Sequence, residues 1–110
     1  MDRVIDHYRK ANGVGYADWC DFECVNCLKH TWAMVKRNEL YHAESHYLNG
    51  WCEAVAMCSL GGSFQDALYK VVFEILGTSK DHRNVMLMPY LACNSAIYDG
   101  NVWTTVRGRR

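Results

Sequence analysis

The chain has 110 residues, half of them apolar and 13% aromatic, with 12 basic side chains, 12 acidic ones and a single proline. That length suits one domain with one core, and the apolar content excludes disorder. A net charge of zero excludes a broad field for nucleic acid or membrane. The opening MDRVIDHYRK is charged and lacks the pattern of a secretory leader. The longest apolar run, Val85 to Cys93, has nine residues, against the roughly 20 of a membrane span. The expected compartment is the cytoplasm, with no membrane contact.

In chain order, hydrophobic spacing predicts five helices. Val4, Ile5 and Tyr8 form a short stripe over Asp2 to Ala11, closed by Asn12-Gly13. From Tyr16 to Arg37, the residues Tyr16, Cys20, Cys24, Cys27, Leu28, Thr31, Met34 and Val35 recur at three and four, which fills one helical face. Trp19, Phe22 and Trp32 fall off that face. A third helix is predicted from Asn38 to Leu60, with Leu40, Tyr41, Tyr47, Leu48, Trp51, Cys52, Val55 and Ala56 inward. Its polar side carries Glu39, His42, His46, Asn49 and Glu53, and Gly50 is the place where it could break. A fourth runs from Ser63, a plausible N-cap, to Leu76, with Gly77 closing it. Tyr69 and Phe73 lie off its inward face. A fifth, Asp81 to Tyr98, is apolar nearly all round and contains Pro89, which kinks it or marks its start. Only Asn101 to Val106 is β-prone. The expected fold class is therefore all-α: residues 1–110 as a single helical domain, a compact bundle of four to five helices with a short β-prone C-terminal tail.

Six cysteines are many for this length. With no leader ahead of them, and most of them inside periodic segments, they are expected to be reduced, buried, small hydrophobes. Cys20, Cys24, Cys27 and His30 invite a zinc reading. On a straight helix, however, Cys20 and Cys27 stand about 10.5 Å apart along the axis, too far for one tetrahedral ion. His42 and His46 at four-residue spacing would share a helix face and could hold a metal, with Glu39 or Glu53 as a third ligand. Glu44 falls by helical phase in the apolar stripe, where a carboxylate needs a partner. Asp18, Asp21, Glu23 and Glu53 do not converge in phase as a magnesium-binding acid cluster would. No phosphate loop or nucleophile motif is present, and no cofactor is expected.

These features favour a non-enzymatic protein-binding module. Its expected contact residues are Trp19, Phe22, Trp32, Tyr69, Phe73 and Glu44, since aromatics dominate interface hot spots. A small phage or mobile-element accessory protein that inhibits a host or defence complex is the form we expect, as a monomer or homodimer. One alternative is a small metal- or thiol-dependent enzyme using His42, His46, Glu44 or the cysteines. Another is a nucleic-acid-associated protein using the basic tail residues Arg107, Arg109 and Arg110.

Overall fold

A computed structural model describes all 110 residues and replaces the expected helical bundle with a mixed α/β architecture. Helix α1 (Asp2–Ala11) leads to a two-residue strand β1 (Asp18–Trp19) and then to the long helix α2 (Asp21–Arg37). A single turn α3 (Ser45–Leu48) precedes strand β2 (Cys52–Ser59). Helix α4 (Phe64–Tyr69) runs on into a π-helical segment (Lys70–Leu76), followed by α5 (Lys80–Met86). The hairpin strands β3 (Tyr90–Tyr98) and β4 (Asn101–Arg109) end the order.

The strands form one sheet in the order β1-β3-β4-β2. Both neighbours of β4 run antiparallel to it, while β1 lies parallel to β3. The strand latest in sequence is thus an inner one. Period-two alternation sorts its side chains onto two covered faces. Val102 and Val106, with Ala54, Ala56 and Cys58 of β2 and Leu91 and Cys93 of β3, join an 18-residue core with α1, α4, the π segment and α5. On the opposite face, Trp103 and Val55 pack with Met34 and Val35 of α2, and the Thr31 hydroxyl donates to Thr105 Oγ1 at 2.8 Å. The result is three layers: helices, sheet, helix.

Two of the five predicted helices are corrected by this arrangement. The segment Asn38 to Leu60 is an irregular stretch, one turn, and then β2. It breaks where Asn49 (φ 47°) and Gly50 (φ 91°) take left-handed backbone. The segment Asp81 to Tyr98 is α5, then Pro89, then β3. Both strands belong to a sheet covered on its two sides, so both of their faces are apolar, and a run apolar on both faces carries no period that separates strand from buried helix. The all-α assignment fails for that reason. The second helix is real but starts at Asp21, because Asp18 and Trp19 are tied to β3.

The fourth helix starts where expected. Ser63 Oγ accepts from the Asp66 amide at 3.0 Å. We expect Ser63→Ala to cost about 1 kcal/mol in urea unfolding, the ordinary value of a lost N-cap. A buried cation fastens α1 to the far end of the chain. The Arg9 guanidinium donates to the carbonyls of Gly15, Met86 and Met88 at 2.9, 2.9 and 2.6 Å. Burial lowers its pKa, with nearby Asp6 acting the other way.

Candidate functional site: a cleft over a buried ion network

Register creates the site. Glu53 of β2 stands directly opposite Arg107 of β4, on the sheet face that α2 covers, and cross-strand neighbours on one face are within side-chain reach. Glu23 enters from the first turn of α2. Arg107 Nε donates to Glu53 Oε2 at 2.9 Å, and Arg107 Nη1 donates to Glu23 Oε2 at 2.7 Å. The side chains are 3%, 1% and 8% exposed for Arg107, Glu53 and Glu23, so this is an interior ion network. Burial alone would lower the Arg107 pKa, but hydrogen bonds to Glu23 and Glu53 outweigh it and the net shift is upward. A raised guanidinium pKa is a stability contribution present at every pH below the ordinary arginine value. It is lost only as pH climbs through the raised one, so Arg107 adds no pH dependence near neutrality.

The other oxygen of each carboxylate also has a partner. Glu23 Oε1 accepts from Asn26 Nδ2 at 2.9 Å. Glu53 Oε1 accepts from the Ala43 amide at 2.9 Å and from His42 Nδ1 at 3.2 Å. His30 Nε2 lies 3.7 Å from the same oxygen but donates at 2.7 Å to the Tyr41 carbonyl. Because a carboxylate only accepts, His42 carries its proton on Nδ1 when neutral, which leaves Nε2 as a free acceptor. The His42 side chain is 57% exposed.

Above this floor a cleft of about 900 Å³ opens between α2 and residues 38–51. Phe22, Lys29, Arg37, Glu44, His46 and Tyr47 are among its lining residues, and no serine, threonine or cysteine is. The site therefore holds charge, an oriented imidazole and aromatic rim residues.

The expected contact residues divide. Phe22 (81% exposed) and Glu44 line the cleft. Trp32 is exposed on α2 but outside it. Trp19 is half-buried, its indole Nε1 donating to Asp6 at 3.0 Å. Tyr69 and Phe73 stack on each other and pack against the main core beside α1. The buried placement of Glu44 is corrected: its side chain is 77% exposed because no continuous helix carries it inward. His42 and His46 do not share a helix face. His42 meets Glu53, while His46 sits 3.5 Å from Glu44. Arg107 is not a solvated tail residue available to phosphate, since it lies in the interior network. Arg109 and Arg110 stay exposed, with Arg109 over the Trp51 ring at 5.4 Å. Of the cysteines, Cys27, Cys58 and Cys93 are buried, Cys20 and Cys24 are half-buried, and Cys52 is exposed. No helix is long and apolar enough to cross a membrane.

Sequence reasoning named Glu23 only to exclude it from a metal cluster, offered Glu53 as a possible ligand beside His42 and His46, and missed Arg107 as the partner of both. The usable signal was Arg107 itself, in line with Trp103 and Thr105 at period two along a β-prone run.

The fold belongs to the layered α/β class, with helices on both sides of a mixed sheet. It is shared with part of an extracellular protein containing a SCP domain from Bacillus anthracis str. Ames, known from a 1.5 Å crystal structure. The TM-score is 0.65 and the sequences are 16% identical over 100% of this chain and 40% of that one. The chain thus spans 40% of that protein's length, and the likeness is one of fold. No family model matches the sequence, and no curated protein matches it.

Proposed function

We propose that this chain is a binding module without catalysis of its own, which takes a segment of a protein partner into the cleft between α2 and residues 38–51. One observation carries the reading. Two large aromatics, Phe22 at 81% exposure and Tyr47 at 68%, stand on the rim of a cleft whose floor is a hydrogen-bonded ion network. Exposed aromatics beside a rigid concavity are the usual anchors of protein recognition. A floor that is already ordered spares the entropy cost of arranging it on binding. Lys29, Arg37 and Glu44 around the rim offer both signs of charge to a polypeptide.

Selection from a random displayed-peptide library tests this. Wild-type protein is expected to enrich a peptide family, and Phe22→Ala with Tyr47→Ala should weaken its binding about 30-fold or more, as for paired hot spots. Trp32→Ala, outside the cleft, should leave binding within about threefold, and each variant should unfold within about 0.5 kcal/mol of wild type. Peptides bound equally by wild type and the double variant, or no enrichment at all, would overturn the reading.

A further inference from the structure

We propose that Cys24 and Cys93 are an oxidisable pair that closes a disulfide between α2 and the outer edge of β3. Strand β1 pairs with β3 only at Tyr90 and Leu91. Past that point the edge of β3 meets α2, and the Cys93 amide donates to Cys24 Sγ at 3.4 Å. Asn94 Nδ2 donates to the Cys24 carbonyl at 3.2 Å, which holds the same helical turn against the strand. An N–Cα bond of about 1.46 Å keeps the Cys93 Cα close to that sulfur. A disulfide needs Cα atoms about 4.4–6.8 Å apart, and closing it requires rotation about the Cys93 χ1, which turns a sulfur that faces the main core toward Cys24.

Access is the second observation. Both cysteines line one cavity of about 340 Å³, together with Met1, Asp2, Trp19 and Phe64. A small oxidant in that cavity meets both residues. Cys27 and Cys58 do not line this cavity, so neither shares this access.

With hydrogen peroxide as oxidant the chemistry balances. The Cys24 thiolate attacks one peroxide oxygen, giving a sulfenic acid and one water. The Cys93 sulfur then attacks the Cys24 sulfur and expels a second water. Two thiol hydrogens are lost, the sulfurs give up two electrons, and peroxide is reduced to two waters. Burial raises the pKa of both thiols, so the reaction is slow near neutrality and accelerates as pH rises and thiolate forms. The bridge joins positions 69 residues apart. Such a crosslink removes much freedom from the unfolded chain, so Tm should rise by roughly 10 °C or more.

The test uses the full chain treated with dilute hydrogen peroxide at pH 8.5 and then alkylated under denaturing conditions. Free thiols should fall from the six of the untreated chain to four. Peptide mapping should find a Cys24–Cys93 linkage, Tm should rise, and dithiothreitol should reverse both changes. Cys24→Ser should keep its remaining thiols under the same treatment, and Cys24→Ala serves if that variant folds poorly. Six thiols surviving in the wild type, or a linkage joining any other pair, would overturn the inference. The outcome does not depend on the cleft reading, because neither cysteine lines the cleft.

Discussion

Arg107→Ala should lower the unfolding free energy by about 3–5 kcal/mol, enough to move Tm by roughly 15 °C or more. The substitution deletes the only guanidinium between Glu23 and Glu53, whose side chains are 8% and 1% exposed. Two carboxylates then remain in the interior without their cation, and each loses a hydrogen bond to it. Urea unfolding with an unchanged m-value would measure this. The triple variant Glu23→Gln, Glu53→Gln, Arg107→Met should recover more than half of the loss, because it removes the unpaired charges together. A loss below about 1 kcal/mol for Arg107→Ala would mean that the network behaves like a surface pair and that the cleft floor is not rigid.

Gly108→Ala is expected to cost about 3 kcal/mol, at the upper end of what overpacking usually costs. A Cβ at Gly108 would stand 2.6 Å from the Val85 carbonyl oxygen, 3.1 Å from Leu91 Cδ2 and 3.1 Å from Met88 Sδ. The two side chains could give way by rotation. The carbonyl belongs to α5, so that helix must lift from the sheet. Since Arg9 donates to the carbonyls of Met86, the last residue of α5, and of Met88 just beyond it, the displacement should reach α1. Faster amide exchange in α1 as well as α5 is the expected signature, and exchange confined to β4 would contradict it.

These two positions also show where the sequence could and could not be read. Helix α4 and the π segment that continues it were legible because their signals are local: Ser63 caps α4, and Leu68, Val71 and Val72 face one way. Strand β2 was not legible. Ala54, Val55, Ala56, Met57 and Cys58 are apolar on both sides because a helical layer covers each side, and small residues suit a helix as well as a strand. The β3–β4 hairpin did announce itself. Asp99-Gly100 forms its two-residue turn with φ of 51° and 75°, the left-handed pair that favours this dipeptide, and it joins strands in register from Tyr98–Asn101 to Tyr90–Arg109. Helical spacing was extended to Tyr98, up to that turn and over the whole of β3. The candidate site was hardest to read, because Glu23, Glu53 and Arg107 lie 84 positions apart at the extremes and meet only through sheet register and the packing of α2 on the sheet. Glu44 was placed in the core by a helix that does not exist.

The inner position of β4 has a consequence for how the chain is made. Its partners β2 and β3 and its covering helices all precede it in sequence. On a ribosome adding about 5–20 residues per second, the earlier segments emerge before the strand that completes their sheet exists. Until then β2 has no neighbour and Glu53 has no counter-charge. Such delayed, long-range closure slows folding relative to a helical bundle of the same length, so the nascent protein spends its first seconds with sticky, unmatched surface, the period when a chaperone would find most to hold.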